Sequence, residues 1–586
     1  MTETTTRPAE SPPAPPASAD PERRRPIRAW LTDRSKLEVA VWVGLIAVAF
    51  GLRMYDLGSR PFHHDESQDA YFSWVFRDTG DYSYNPLLHG PLRFYLTGLS
   101  YLIFGDSDVT ARLAPAVMGT LAVGLPYLLR HQLGRVAAFS AAVILAFGPT
   151  YLYFSRFARE DIYLAAITLA IFVTAFRFLR RPRALTLSLL GALFAVAYAT
   201  KESGIVMVGF FGIFFLGAIA VQGVVSRRRG GRFADGEVLR ALLTVGWPAW
   251  TYAIATLVLV YALLFTVFFT QMDCTTAAFA GNPARETSCI NSVFFGLEYW
   301  MGQQDVARGD DKAWLYLAIV FGEEWPALLL AAVGVVFAFL RPTTLRLFLV
   351  WMLVATSAFY SWGSERFAWL VLHPLLPLIL LAGLGVQCLW GLRSRVARTA
   401  AMVAVAIGAV YMVGASFSAN AKQAADPRSL LVSTQSSVQV KEVADQVRTL
   451  IRGAREAGQP PLTITVDSGQ GATFPYAWYF RHDQVGYIDM TTAGYVPNTQ
   501  VLVMTDEGRE ALRPNLSAYA GRRFDFRVWW IKDYEKKFST RAWWDWFTVR
   551  KPWNETGGMK EWLYVRRDAG PLPGKGTRSL IPPPPS

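Results

Sequence analysis

The chain has 586 residues, of which 52% are hydrophobic and 14% aromatic, and its mean hydropathy is +0.24. A soluble protein of this length does not need so much apolar mass, so the composition indicates a polytopic membrane protein. The net charge of +13 need not mean nucleic-acid binding, because much of it lies in short arginine clusters between apolar blocks.

The amino-terminal residues 1–37 are predicted to form a disordered cytoplasmic tail. Residues 1–27 are rich in Pro, Ala, Ser and Thr and cannot pack a core. No short apolar stretch with a cleavage site precedes Trp42, so the sequence predicts no cleaved signal peptide. The arginines at 23–25 and 28 favour retention of the tail in the cytoplasm.

Apolar blocks of roughly 17–25 residues follow, the length that crosses a bilayer as a helix. We predict eleven membrane helices, near 38–55, 111–130, 136–154, 162–179, 185–200, 204–222, 246–270, 325–340, 346–361, 367–388 and 400–418. With this count, the basic segments 130–135, 180–183, 227–232, 341–346 and 393–398 all fall on the side of the amino terminus, which predicts that this side is cytoplasmic. Residues 90–104 and 313–322 are apolar but short, and we expect interfacial helices there.

Beyond residue 420 the pattern changes to alternating helix and strand. Residues 438–458 are amphipathic with helical spacing, and four segments have the pattern of strands: 462–467, 499–506, 524–531 and 561–567. The sequence therefore predicts a mainly α-helical membrane domain at 38–420, an extracytoplasmic α/β domain at 421–568, and a disordered tail at 569–586.

Cysteines are few, and two of the three share one predicted outer loop. Cys274 and Cys289 lie in a compartment where disulfides persist, so a disulfide between them is predicted. Cys388 is expected to be a buried thiol in a membrane helix.

Charged and imidazole side chains gather in the segments that this topology places outside. They are Asp65 and Glu66 in the first outer loop; His89; Arg156, Arg159, Glu160 and Asp161 between the third and fourth spans; Lys201 and Glu202 between the fifth and sixth; and Glu365 and Arg366 before the tenth, with His373 about two turns further in. Ionisable groups near a membrane are costly and often functional.

Each of these residues also has a plain interpretation. The carboxylates could be ordinary loop residues, Lys201 could extend its stem toward the interface, and Arg366 could be a counter-ion to Glu365. His63, His64, His89 and His373 could be packing residues or hydrogen-bonded core histidines. The gathering of acids and bases on one face is what favours function.

The chemistry of this set suits group transfer from a lipid phosphate. An Asp or Glu can act as the base that activates an acceptor hydroxyl. Arg and Lys supply positive charge for a departing phosphate, and a divalent metal could do the same where two carboxylates converge. The sequence contains neither a nucleotide-binding GxxxxGK[ST] loop nor a zinc motif.

Several segments together resemble the GT-C glycosyltransferases, and most closely the branch of glycosyltransferase family 39 that includes protein O-mannosyltransferases and aminoarabinose transferases. They are "HHDES", "NPLLHGPLRFYL", "YLIFGDSDVTARLAPAVMGTLAVGLPYLL", "SRFAREDIYLAAITLAIF" and "YATKESG", and the resemblance covers roughly 38–420. "GSERFAWLVLHPLLPLILLAG" is similar to a subgroup related to archaeal N-glycosylation proteins, some of them flippase-associated. His-Gly-Pro replaces the Pro-Pro of many members, and Arg366 stands where a lysine is expected.

The resemblance implies a polyprenyl-phosphate sugar donor and inversion at the anomeric carbon by direct displacement. It assigns Asp65 as general base and Glu66 as the residue that orients it or binds acceptor. Asp161, or less readily Glu160, would bind metal or acceptor, and Lys201, Arg159 and Arg366 would contact the lipid phosphate. Glu202, His89 and His373 are further candidates for substrate binding. A Mg²⁺ or Mn²⁺ ion held by Asp65 and Asp161 stays open, since branches of the family differ in metal use.

The predicted function is therefore a multi-pass cell-membrane glycosyltransferase that acts on a protein, lipid or glycan acceptor at the extracytoplasmic face. The alternative is a flippase for lipid-linked sugars, or its accessory. Such a transporter should show internal symmetry and paired spans broken by Gly or Pro at the bilayer midplane, whereas the charges here lie at one membrane face. A third hypothesis, a scaffold subunit, predicts no cavity that joins Asp65 to Lys201.

Overall fold

The computed structural model describes residues 34–80, 82, 84–276, 285–310, 312–535 and 537–570. Most of the predicted tails 1–37 and 569–586 lies outside these residues. The described chain forms a helical bundle followed by a domain built on a six-stranded sheet. We call the end of the bundle that carries this sheet domain the outer end.

The helices of the bundle, in chain order, are α1 Arg34–Met54, α2 His64–Thr79, α3 Leu92–Phe104, α4 Asp108–Ala111, α5 Leu113–Gly124, α6 Pro126–Leu133, α7 Arg135–Phe147, α8 Pro149–Ser155, α9 Glu160–Arg180, α10 Ala184–Tyr198, α11 Gly204–Arg228, α12 Glu237–Thr244, α13 Trp247–Phe265, α14 Ser292–Gly302, α15 Leu315–Glu323, α16 Trp325–Leu340, α17 Thr344–Trp362, α18 Leu372–Trp390 and α19 Arg395–Phe417. Those of the sheet domain are α20 Val438–Glu456, α21 Thr473–Tyr479, α22 Asp506–Leu512 and α23 Thr540–Val549.

The helical lengths support a multi-pass membrane protein. Among the described residues, eight helical segments are long and apolar enough to span a membrane, and two bent pairs bring the number to ten. Ten of the eleven predicted spans coincide with these segments. The exception is the predicted span at 185–200, where α10 has 15 residues. A helix of that length rises about 22 Å, less than the apolar thickness of roughly 30 Å.

The two segments that were predicted as interfacial are short helices. The segment 90–104 contains α3, a helix of 13 residues. The segment 313–322 overlaps α15, which meets α16 at a bend of 108°. α16 accounts for the predicted span at 325–340.

Among the candidate membrane spans, Ala368–Trp390 is the most buried, and a stretch of 18 of its residues lies entirely inside the protein. Its glycines allow close approach of neighbouring helices: a Cβ on Gly385 would lie 2.0 Å from the carbonyl oxygen of Leu330. A cluster of phenylalanines around Phe348 joins α9, α11 and α17. This core fixes the helices whose outer ends carry the charged residues.

The sheet domain contains the predicted helix and strands. Its strand order is β5-β9-β10-β8-β6-β7, where β5 is Gln435–Ser436, β6 Ile464–Asp467, β7 Val485–Ile488, β8 Val501–Thr505, β9 Tyr519–Trp529 and β10 Gly557–Arg566. β6 pairs in parallel with β7 and β8, and the other pairs are antiparallel. β5 and β7 were not predicted, because β5 has two residues and β7 contains Gly486, which weakens the strand pattern. Four short strands lie in the outer loops: β1 Asp273–Thr276, β2 Arg285–Ser288, β3 Arg308–Gly309 and β4 Glu365–Arg366.

The sheet domain is fastened to the loop that follows α1 and to the segment from the end of α3 to the start of α4. The contacts are the backbone N–H of Phe62 to the hydroxyl of Tyr479 at 2.9 Å, Arg481 Nε to Asp106 Oδ2 at 2.7 Å, and Lys441 Nζ to Asp108 Oδ2 at 2.6 Å. A second attachment joins Arg550, after α23, to Glu323 at the end of α15 through both terminal nitrogens, at 3.0 and 2.8 Å. The domain is thus held against the bundle on two sides.

The cysteines follow part of the prediction. Cys289 is buried and disulfide-bonded. The side chain of Cys274 lies outside the described residues, so its pairing stays a prediction. Cys388 is a free thiol of intermediate exposure in α18.

Candidate functional site

The first outer loop presents Asp65 at the amino-terminal turn of α2. The His63 ring accepts a hydrogen bond from the Asp65 backbone N–H, and the Glu66 carboxylate accepts one from the His63 backbone N–H, so the turn is capped in both directions. The Asp65 side chain is 29% exposed and forms an ion pair with Arg159. Asp65 is therefore fixed in position while part of its carboxylate faces solvent.

Glu66, the neighbour of Asp65, points into the protein instead. Its carboxylate is fully buried and accepts hydrogen bonds from Arg112 at 2.8 and 3.0 Å, from Arg60 at 3.2 Å and from the backbone N–H of Ala158 at 2.9 Å. Burial raises the pKa of Glu66, but Arg112 and Arg60 outweigh it and lower the pKa to about 2. The geometry thus gives Glu66 a structural role, joining the first loop to the turn before α9.

The turn before α9 brings one guanidinium between two acidic segments. Arg159 precedes the helix, and Glu160 and Asp161 occupy its first turn, where the helix dipole favours negative charge. Arg159 Nη1 reaches Asp65, and its Nη2 lies 2.7 Å from Glu160 Oε1. The Arg159 guanidinium also lies over the ring of Trp369. Arg159 therefore links the first loop to the start of α9.

Lys201 follows the end of α10 and joins the same network. Its Nζ lies 2.8 Å from Asp161 Oδ1 and 3.0 Å from Glu160 Oε1, and the side chain is 7% exposed. Burial lowers the pKa of Lys201, but Asp161 and Glu160 outweigh it, and the pKa is raised above its usual value. Asp65 and Lys201 are thus joined through Arg159 and the two carboxylates of α9.

His89 lies between two carboxylates. Its Nδ1 is 2.6 Å from Glu202 Oε2 and its Nε2 is 3.1 Å from Glu160 Oε1. Burial lowers the pKa of His89, but Glu160 and Glu202 outweigh it and raise the pKa to about 9, so the ring is an imidazolium at neutral pH. The ring of Trp300 stacks on it at 4.9 Å.

Gly90 explains how the His-Gly-Pro segment reaches this place. A Cβ at Gly90 would lie 2.1 Å from the carbonyl oxygen of Ala199, which in turn accepts a hydrogen bond from the Leu92 backbone N–H at 3.0 Å. Only glycine allows this close backbone approach. It holds His89 beside the turn that carries Lys201 and Glu202.

The remaining candidates divide into one that joins the cluster and one that lies beside it. His373 Nε2 lies 3.2 Å from Asp161 Oδ1, and its ring stacks on Tyr360. Arg366 lies in the short strand β4 with its Nε donating to the carbonyl oxygen of Ser361 at 3.2 Å. Its neighbour Glu365, rather than Arg366, lines the cavity next to Lys201.

Three residues of the cluster were missed by the sequence analysis. Arg93 pairs with Asp69 and lies 3.1 Å from Glu160 Oε2, and the Tyr84 hydroxyl donates to Glu202 Oε1 at 2.5 Å. Arg93 could have been found, because it is a single basic residue in the otherwise apolar "GPLRFYLTG". Asp69 carries no comparable signal, since it follows a loop that is already acidic.

A cavity of about 380 Å³ opens beside this cluster. Its polar end is formed by His89, Lys201, Glu202 and Glu365. The rest of its wall is largely apolar and includes Ile205, Val206, Leu297, Trp300, Met301, Phe359, Tyr360 and Trp362. Met301 and Trp362 are 73% and 66% exposed, so the apolar wall continues onto the surface of the bundle. The cavity therefore has a charged end and an apolar wall that could contact a hydrocarbon chain.

The two carboxylates predicted to hold a metal do not form a favourable site for one. Asp65 is paired with Arg159, and Asp161 accepts from both Lys201 and His373. Among the described residues, no group of three or more His, Cys, Asp or Glu side chains is arranged to hold an ion. A divalent cation between Asp65 and Asp161 would have to displace the Arg159 guanidinium, so the donor set does not fit Mg²⁺ or Mn²⁺.

Comparison with known proteins agrees with the expected fold. Residues 88–227 match the family model described as dolichyl-phosphate-mannose-protein mannosyltransferase. ArnT from Cupriavidus metallidurans bound to undecaprenyl phosphate is similar with a TM-score of 0.59 and 15% identity, covering 90% of this chain and 99% of that one. The chain has the GT-C glycosyltransferase fold. The apo state of the same ArnT gives a TM-score of 0.55, with 15% identity and coverage of 91% and 100%.

A third GT-C structure, the oligosaccharyltransferase of Archaeoglobus fulgidus in the apo form, is similar with a TM-score of 0.52 and 13% identity, covering 78% of this chain and 65% of that one. No curated protein sequence matches the chain. The expected GT-C fold with a sheet-containing carboxy-terminal domain is confirmed, and the apolar helices of this fold indicate a multi-pass membrane protein.

Proposed function

We propose that this GT-C protein transfers a sugar from a polyprenyl-phosphate donor to a protein, lipid or glycan acceptor on the extracytoplasmic side of the membrane. The observation that carries the proposal is the position of Lys201 at the polar end of an otherwise apolar cavity. A lipid-phosphate sugar has the same polarity, with a charged group at the end of a long hydrocarbon. The ArnT structure of similar fold is described as bound to undecaprenyl phosphate, which supports this class of donor.

Lys201 has the capacity to bind the phosphate without leaving its present partners. An ammonium group has three N–H donors, and two of them are directed to Asp161 and Glu160. The third can donate to a phosphate oxygen in the cavity. The protonated His89 at the same end adds positive charge. These groups stabilise the negative charge that the phosphate gains as the sugar leaves.

Asp65 is the proposed base. In a direct displacement, the acceptor oxygen forms a bond to the anomeric carbon while the bond from that carbon to the phosphate oxygen breaks, and the configuration inverts. Asp65 takes the acceptor proton, and the electron pair of the broken bond stays on the phosphate. Arg159, which contacts Asp65, keeps the carboxylate oriented.

The test is an assay of the purified full-length protein in lipid nanodiscs, with radiolabelled sugars on polyprenyl phosphate as donors and membrane extracts as acceptor. Transfer of label to a product, lost in Asp65→Asn, supports the proposal. A flippase would instead move the labelled lipid between leaflets of a proteoliposome without breaking the bond from sugar to phosphate. Movement of intact donor with no transfer would overturn the enzyme proposal.

A further inference from the structure

A second group of charged side chains lies at the end of the bundle opposite to Glu160, Asp161 and Lys201. α9 has 21 residues; it begins with Glu160 and ends at Arg180, about 30 Å away along the helix axis. There the ends of α6 and α9 and the start of α10 enclose a cleft of about 310 Å³. Its charged lining consists of Arg130, His131, Arg177, Arg180, Arg181 and Arg183.

This cleft has an excess of uncompensated positive charge. No carboxylate is among the described residues that line it. At the edge of the cleft, Glu38 pairs with Arg130 at 3.3 Å. Four other arginines of the lining form no ion pair among the described residues: Arg177, Arg180, Arg181 and Arg183. Topology alone requires basic residues near helix ends, but it does not require them to converge on one cavity. An anion in the cleft would relieve the mutual repulsion of these guanidinium groups.

Two contacts hold the walls of the cleft in place. Gln132 Nε2 donates to the carbonyl oxygen of Phe176 at 2.7 Å and so ties α6 to α9. The Arg130 guanidinium lies 3.7 Å from the centre of the Tyr127 ring. The cleft is therefore formed before any ligand binds.

A neighbouring apolar cavity indicates which kind of anion fits. This cavity of about 380 Å³ is lined by residues of α9, α10, α11, α12 and α13, all of them apolar. At the start of α10, Thr186 and the preceding Arg183 belong to the charged cleft, and Leu187 and Leu190 belong to the apolar cavity. Residues at this spacing lie on the same side of a helix, so the charged cleft and the apolar cavity follow one another along α10. Leu128 and Leu185, at the same level, are 39% and 81% exposed.

We propose that this arginine cleft binds the phosphate of an anionic phospholipid, with an acyl chain in the adjacent apolar cavity. Arginine forks pair with phosphate oxygens in bidentate fashion, and basic pockets between membrane helices suit lipid headgroups. The site is separate from the proposed donor site, which lies at the other end of α9 and takes a lipid phosphate from the outer side.

The experiment measures lipid retained by the full-length protein. Native mass spectrometry of protein in detergent is used to titrate dioleoyl phosphatidylglycerol, dihexanoyl phosphatidylglycerol, dioleoyl phosphatidylcholine and inorganic phosphate. We expect binding of the long-chain phosphatidylglycerol, and much weaker binding of the other three. In Arg180→Gln/Arg183→Gln the apparent affinity should fall by about tenfold or more, since each arginine near an anionic headgroup contributes to binding.

A matched control removes the same charge elsewhere on that side. Arg228→Gln/Arg229→Gln lies at the end of α11, outside the cleft, and should retain wild-type affinity. Arg180→Lys/Arg183→Lys keeps the charge that topology requires but lacks the planar fork, and should bind more weakly than the wild type. Binding of inorganic phosphate as strong as that of the long-chain lipid would overturn the proposal. So would equal losses in the cleft variant and the control, or full affinity in Arg180→Gln/Arg183→Gln.

Discussion

Asp65 and Glu66 are neighbours in the sequence, yet their carboxylates serve different surroundings. Successive residues of a helix point about 100° apart. Asp65 is therefore partly exposed beside Arg159, whereas Glu66 is buried between Arg112 and Arg60. This divergence separates the proposed catalytic residue from a structural one and gives the first two predictions.

Asp65→Asn should retain the fold and lose turnover. A general base typically contributes about 10²–10⁴-fold to the rate, so kcat should fall by that order while KM for the lipid-linked donor changes little. The measurement is steady-state kinetics with a radiolabelled donor. Asp78→Asn makes the same chemical change at the carboxyl-terminal end of α2, where the side chain is 44% exposed, and should behave as the wild type. Full turnover in Asp65→Asn would remove Asp65 as the base.

Glu66→Gln should instead lower stability. Loss of one partner from a buried ion pair leaves uncompensated charge on Arg112 and Arg60, at a cost of about 3–5 kcal/mol. The thermal unfolding midpoint of the full chain in detergent, followed by tryptophan fluorescence, should fall clearly below that of Asp65→Asn. If Glu66→Gln were as stable as the wild type but inactive, Glu66 would belong to the catalytic residues as the family resemblance suggested.

Lys201 should affect donor binding and the departure of phosphate. Lys201→Met removes the positive charge next to Asp161 and Glu160 and should raise KM for the donor as well as lower kcat. Lys201→Arg keeps the charge and should recover part of kcat/KM. The measurement is steady-state kinetics of both variants with one donor at varied concentration. Equal kcat and KM for Lys201→Met and Lys201→Arg would show that the reaction does not depend on the positive charge at this position.

Turnover should survive removal of divalent metal. The guanidinium of Arg159 occupies the place between Asp65 and Asp161 that a bridging ion would need. After treatment with EDTA and removal of the chelate, we expect the transfer rate to stay within about twofold of the untreated enzyme, since a metal that stabilised charge in the transition state would contribute far more. Loss of activity with EDTA and its return with Mg²⁺ or Mn²⁺ would contradict this.

The sheet domain should become less stable as pH rises, because of Glu561. Burial raises the pKa of Glu561 to about 8 from its usual 4.5, and the hydrogen bond from Tyr476 and the charge of Arg527 offset this only in part. Between these two pH values the unfolded chain releases the proton and the folded chain retains it, so stability is greatest below about pH 4.5 and falls up to about pH 8. Thermal unfolding midpoints of wild type and Glu561→Gln should therefore differ increasingly in favour of the variant from pH 5 to pH 8.5. A difference that does not change with pH would exclude this titration.

The sequence predicted the convergence of the outer turns because charge and length together fix a topology. Lys201, Glu202, Glu160 and Asp161 indeed meet. The sequence could not show which charged side chains contact one another, because this depends on how each helix is rotated. It also depends on Gly90, whose close contact with Ala199 brings His89 to Glu202. The helix at the predicted span 185–200 is shorter than expected, because an apolar run shows composition but not where a helix ends.

The attachment of the sheet domain also constrains how an acceptor arrives. Asp106 and Asp108 hold Arg481 and Lys441 on the same side of the bundle as the loop that carries Asp65, and Arg550 holds Glu323 at the end of α15. Because the sheet domain is attached at both places, it cannot move away from the bundle without breaking one of these sets of ion pairs. We therefore expect selection of acceptors to come from the shape of a rigid entrance, so that extended or slender molecules are admitted and bulky folded ones are refused.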